Sequence, residues 1–283
     1  MTTSDPVMDL LGRLSLIAAG LEASGRALAL LGLGSVGAEL DRADRFSDLD
    51  FFVVARPGQV GTLLDDLAWL GGGLAYAFRN TPDGFKVLFG DGVYGEFAVF
   101  DEAALRGAAF VNARVVWRSP DAPADLPLHL RPQEAQVAPL SGGKRDHLLG
   151  EALTNLLVGV RRFRRGEQLS AWQFTQVYAL GNALALATNA TSPAPGWADA
   201  YGLERRFEQR FPALATRLVA CLPGVDGTPG AALAILDLLE SLDLTGWQEA
   251  SGLTAQVRQE AQAALTDRGG GTGAWAVRGR LPG

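Results

Sequence analysis

The chain has 283 residues, 48% of them hydrophobic, a formal net charge of -6 and one cysteine, Cys221. That length suits two cored domains. The acidic balance argues against polymeric nucleic acid or an anionic membrane as partner, and one cysteine excludes an internal disulfide or a thiolate metal cluster. Cytoplasm is the expected location: the first twenty residues lack a basic leader pattern, and no uncharged apolar run reaches the roughly 18 residues of a bilayer span.

Taken in chain order, an amphipathic helix is expected over Pro6 to Ala23, with Asp5, Asp9 and Arg13 interrupting its apolar positions. Ala27 to Leu33 reads as a buried strand feeding the tight turn "GLGS", and Leu49 to Ala55 as a second, stopped by Pro57-Gly58. Val60, Leu63, Leu64, Leu67 and Leu70 recur at helical spacing, so a helix is predicted from 60 to 70, ended by three glycines. Three strands follow, "LAYAFR", "GFKVLF" and "YGEFAVF", separated by the turn signals "NTPDG" and "GDG". From Ser119 to Leu140 the composition shifts to Pro, Asp and Ala, which reads as a linker or extended wrap and places a boundary near 135 to 142. Beyond it "HLLGEALTNLLVGVRRFRRG" and "SAWQFTQVYALGNALALA" read as long helices, followed by "WADAYGLERRFEQR" and further helical stretches to Thr266, a helical bundle. The Gly-rich end, with "GGGTG", reads as a mobile tail, because no strand precedes it and no "GK[ST]" follows. The expected division is a domain at 1–138, a helical domain at 139–268 and a tail at 269–283.

The chemistry concentrates in "GSVGAELDRADRFSDLDFFVV", Gly34 to Val54. In a strand, residues i and i+2 share a face, so Asp48 and Asp50 can converge while Leu49 and Phe51 face the core. Carboxylates that close repel unless a cation lies between them, and magnesium, which takes oxygen ligands and substrate phosphates, suits the pair. An isolated Asp-x-Asp also suits the solvated start of a strand. The Gly-Ser turn upstream adds a second element: Gly32, Gly34 and Ser35 form a candidate phosphate cradle at the start of a helix. It is not a Walker loop, since no lysine follows, and a dinucleotide fold lacks its ribose-binding acid.

Together, "LGS" at 33 to 35, twelve intervening residues, and "DLDFFVV" at 48 to 54 resemble the signature of the DNA polymerase beta-like nucleotidyltransferase superfamily. Members carry a third carboxylate on a later strand, and "DGVYGEFAVF" offers Glu96. The layout, with a helical C-terminal half containing "FRRGE", is similar to the small-molecule branch, the aminoglycoside and lincosamide nucleotidyltransferases. The resemblance is specific over about 31 to 100 and architectural beyond 140. It implies an α+β fold, a mixed sheet flanked by helices and followed by an all-α bundle that binds acceptor or dimerises. It also implies magnesium, ATP or another nucleoside triphosphate, and transfer of a nucleoside monophosphate to a hydroxyl, as in antibiotic resistance.

On that reading Asp48 and Asp50 bridge metal ions, and Glu96 holds the metal nearest the nucleophile or acts as general base. Gly34 and Ser35 bind the outer phosphates; Arg42 and Arg45 are candidates for the triphosphate, as is Lys86 on the middle strand of three. Glu151, Asn155 and Arg162 share a helical stripe that could line an acceptor pocket or supply an alternative base, ion pairing at the surface being the plainer role. Trp172, Phe174, Tyr178, Trp197 and Tyr201 are expected in the core, and His129 and His147 stand too far from other ligand types to suggest zinc. Two alternatives stay open: an inactive nucleotidyltransferase-like binding or regulatory protein, and an adenylyltransferase acting on protein.

Overall fold

The computed structural model describes residues 6–129, 140–195 and 202–269. The chain divides into two compact units, Met1–Ala135 and Gln136–Gly283.

The first unit is built on one six-stranded sheet: β1 (Ala27–Gly32), β2 (Leu49–Ala55), β3 (Leu74–Thr81), β4 (Gly84–Phe89), β5 (Tyr94–Phe100) and β6 (Arg114–Arg118), in the order β3-β4-β5-β2-β1-β6. β2 and β5 run parallel and every other neighbouring pair is antiparallel, so the sheet is mixed. Helix α1 (Pro6–Ser24) lays Leu10, Leu14, Ile17 and Leu21, spaced at four, three and four residues, onto one face. There they meet Leu49, Phe51, Val53, Val87, Phe97 and Val99. Phe97 stacks between Phe51 and Phe85, at 5.2 and 5.8 Å, and Trp69 closes on its edge at 5.1 Å. A smaller core on the opposite face joins Leu31, Val54, Leu105, Phe110 and Leu126. Leu105 comes from the short α3 (Glu102–Gly107), whose cap Asp101 accepts from the Ala104 amide at 2.8 Å.

The fold is α+β, as the sequence predicts, with three local differences. The 60–70 helix is broken: α2 (Val60–Asp65) stops where Asp66 turns extended, and its side chain accepts from the Ala68 amide at 3.0 Å to start a separate turn, Ala68–Leu70. β6 is a strand the sequence reading did not identify. Four of its five residues, all but Val116, pair in register with β1 at the sheet edge. The described part of the expected linker, from Ser119, packs back on the sheet unit, with Leu126 in its second core.

The second unit is helical, and among its described residues no strand occurs. Its central α4 (Gly142–Arg164) is capped by Ser141, which accepts from the Lys144 amide at 3.3 Å, and buries Leu149, Ala152, Leu153, Leu156 and Val160. Around it lie α5 (Gln168–Trp172), α6 (Leu180–Ala190), α7 (Phe207–Arg210), α8 (Pro212–Cys221), α9 (Thr228–Glu240) and α10 (Ser251–Gly269). α5 runs into α6 through a π-helical stretch, Gln173–Ala179. That wider winding turns Thr175, Gln176 and Ala179 inward and leaves Tyr178 44% exposed, with Trp172 and Phe174 half-buried, so the expected core role of these aromatics is corrected. Trp197, Tyr201 and the Gly-rich tail from 270 lie outside the described residues. No single helix among the described residues is long and apolar enough to cross a membrane.

Candidate functional site

The pleat of β2 sends Leu49, Phe51 and Val53 into the α1 core and Asp50 and Phe52 to the other face. In the parallel ladder Asp50 stands directly opposite Glu96; Glu96 stands opposite Lys86 of β4, and Lys86 opposite Phe78 of β3. Four strands thus carry Asp50, Glu96, Lys86 and Phe78 in one row on one face. The second core covers this face near Phe52 and Val54, whereas Tyr76, Phe78, Leu88 and Tyr94, which share it, are exposed. Glu96 lies toward that bare half, its side chain 43% exposed.

Both Glu96 oxygens are engaged from one direction. The Asn80 Nδ2 donates to Oε1 at 2.9 Å, and Lys86 Nζ lies 3.5 Å from Oε2. Both partners come from β3 and β4, the side of β5 opposite to β2, so Glu96 is drawn away from Asp50. Asp48 precedes β2, outside the ladder, so the pleat does not fix its direction. It lines a cavity of about 390 Å³ with Arg45, Phe46, Asp91 and Tyr94. Among the described residues no three His, Cys, Asp or Glu side chains converge closely enough to share an ion. In place of the expected convergence of Asp48, Asp50 and Glu96, Asp50 and Glu96 align along the sheet and Asp48 lies outside the ladder. At the same cavity, burial works to raise the Asp91 carboxyl, but hydrogen bonds from Arg13 and the Val93 amide outweigh it and hold the group below its ordinary value.

The Gly-Ser turn forms, but it does not lead into a long helix. Gly34–Val36 is a single 3-10 turn, followed by another at Leu40–Arg42. The Ala38 amide bonds instead to the Asn112 carbonyl at 2.9 Å, which ends the winding, so the expected helix-dipole contribution is absent. What remains of the cradle is close backbone approach: Gly34 has φ +54, and a β-carbon there would sit 3.2 Å from Asp50 Oδ2. The Leu33 amide also bonds to the Asp50 carbonyl at 2.7 Å, fixing the turn against the carboxylate strand. Ser35 is half-buried in this turn.

The two loop arginines have partners of their own. Arg42 pairs with Glu39, and Arg45 lies over the exposed Phe46 ring at 4.4 Å. The Glu39–Arg42 spacing of three residues was readable in the sequence. Two residues that positioned nothing in the sequence reading hold the turn: Arg114 of β6 donates to the Val36 and Gly37 carbonyls at 3.1 and 3.2 Å, and Asn112 donates through Nδ2 to Glu39 Oε1 at 2.9 Å. Both act across more than 70 residues of sequence, and no local pattern announces them.

In the helical unit, the Asn155 Nδ2 donates to Glu151 at 3.4 Å, while Arg162 turns to Glu167, Ser170 and the Phe174 ring. A cavity of about 720 Å³ in this unit is lined by Arg161, Arg164, Glu260 and Asp267, which pair with one another. Hydrogen bonding from Arg161 lowers the Glu260 carboxyl, and burial pushes the Cys221 thiol up to about 11.

No family model and no curated protein matches the chain significantly. Among solved structures it is similar to an aminoglycoside 6-adenyltransferase from Bacillus subtilis, at 12% identity over 90% of this chain and 96% of that one, with a TM-score of 0.34. A superposition that loose carries no functional argument, and the chemistry rests on the chain's own residues.

Proposed function

We propose that the chain is a magnesium-dependent nucleotidyltransferase that moves a nucleoside monophosphate, AMP from ATP in the first instance, to a hydroxyl of a small acceptor. The observation that carries this reading is the placement of Asp50 directly opposite Glu96, with the Gly34 backbone closed against the Asp50 carboxylate. The donor set fits the ion in kind: the carboxylate oxygens of Asp50 and Glu96 on one sheet face, and of Asp48 just before β2, are hard ligands with no competing thiolate or imidazole among them. Bound magnesium would neutralise phosphate charge and lower the pKa of the attacking hydroxyl.

The residues divide the remaining work. Asp48 and Asp50 would hold the metal, and Ser35 and the Gly34 backbone, at the start of a turn, would bind the outer phosphates. Glu96 would hold the metal nearest the acceptor hydroxyl, or receive that hydroxyl's proton, as the hydroxyl oxygen bonds to the alpha-phosphorus and the bond to pyrophosphate breaks. Arg42 reaches a phosphate only by leaving Glu39, which makes Arg45 the readier of the two loop cations. The acidic chain favours a cationic acceptor such as an aminoglycoside over polymeric nucleic acid or a membrane. A cytoplasmic enzyme whose helical unit binds acceptor or forms a homodimer completes the proposal.

One observation favours a binding protein without chemistry: Glu96 is already held by Lys86 and Asn80. Pyrophosphate release from ATP and magnesium, screened over aminoglycosides, lincosamides and a hydroxylated protein substrate, separates the readings. Release that depends on acceptor and disappears in Glu96→Gln supports the enzyme. Nucleotide binding without release for any acceptor supports the module.

A further inference from the structure

The ion pair on Glu96 has a consequence for how the site loads. Lys86 and Glu96 are both partly solvated, at 42% and 43% exposure, so their attraction is weak and readily exchanged. Glu96 is held in place by Asn80, yet the Asn80 Oδ1 is buried with no hydrogen-bond partner among the described residues. A buried acceptor left open marks a cluster that is one donor short. The row of Lys86, Glu96 and Asp50 spans two strand spacings, about 10 Å. The ammonium on its flexible four-carbon stem can sweep much of that distance.

We propose that Lys86 is the resident counter-ion of the site. In the metal-free protein it holds Glu96 on the β4 side; a divalent cation displaces it, and the released ammonium pairs with a phosphate of the nucleoside triphosphate. Metal and nucleotide then bind cooperatively through one side chain, and the coupling is reciprocal. The other cations around the turn are spent differently. Arg42 pairs with Glu39, Arg114 with backbone carbonyls and Arg45 lies over Phe46, so capture of Glu96 by a metal frees none of them. The proposal rests on the reading of Glu96 as a metal ligand.

The test uses the full chain, Mn²⁺ as probe metal and a fluorescent ATP analogue that cannot transfer its nucleotide. In Lys86→Met, Mn²⁺ alone binds about threefold tighter because its competitor is gone. The analogue at saturating Mn²⁺ binds about tenfold weaker because a charged partner is lost. Lys86→Arg returns both values toward wild type, and circular dichroism confirms the fold of each variant. A merely structural lysine would weaken both affinities or neither. Wild-type binding of Mn²⁺ and analogue that Lys86→Met leaves unchanged, or weakens together, overturns the proposal alone. A wild-type protein that binds neither overturns the reading of the site and this proposal with it.

Discussion

The two faces of the β2–β5 pair are made by alternate residues of the same seven-residue strands and have opposite fates. On one, Leu49, Phe51, Phe97 and Val99 are at most 2% exposed under α1 and Trp69. On the other, Asp50, Glu96 and, one strand over, Lys86 stand in a row beside exposed Tyr76, Phe78 and Tyr94. Burial holds the first face rigid, and that rigidity gives the second its register. Carboxylates at positions that add nothing to the core are placed to within a strand spacing by residues that contribute nothing to chemistry.

Substitutions should separate the faces, beginning with the largest effect. Phe51→Ala removes a ring at the centre of the stacked aromatic cluster and should cost about 3–5 kcal/mol in denaturant unfolding. Asp50→Asn, on the opposite face of the same strand, should leave the unfolding midpoint nearly unchanged while nucleotidyl transfer falls at least about a hundredfold. A comparable loss of stability in both variants would break the distinction. Gly34→Ala lies between: its positive φ and the nearby Asp50 oxygen predict a cost of about 1–2 kcal/mol together with weaker nucleotide binding.

The smallest effect is electrostatic, at the edge of the buried face, where Arg13 pairs with Asp91 and stacks on Phe89 at 4.5 Å. The Asp91 carboxyl is held below its ordinary value in the folded protein. Its contribution is therefore complete above the ordinary carboxylate range and is lost as pH falls through the folded value. Arg13→Gln should flatten that part of the acid limb by less than about 1 kcal/mol, seen as Tm against pH, with no change near pH 7 to 8 in the slope.

Much of the fold was legible because it is periodic. The spacing of Leu10, Leu14, Ile17 and Leu21 announces α1, and the Phe- and Val-rich run at 49–55 announces β2. The Asp-x-Asp doublet and the mid-strand Glu96 were visible as charges where burial was expected. The rest depended on partners distant in sequence. β6 is short and half-exposed, so its pattern is faint, and the 60–70 helix breaks on one hydrogen bond that the Asp66 side chain accepts from the Ala68 amide, which competes with helical winding. The Gly-Ser turn stays a single turn because Asn112 and Arg114 take its backbone groups. Lys86 is legible in the sequence as a cation, but its pairing with Glu96 appears only once β4 and β5 are in register.

The most direct test of the central claim is calorimetric titration of magnesium and ATP into the wild-type chain and into the Asp48→Ala, Asp50→Ala double variant. The account predicts magnesium-dependent binding in the wild type that is lost in a folded double variant. Binding that persists without both aspartates, or no binding of any nucleoside triphosphate to a folded wild type, would contradict it.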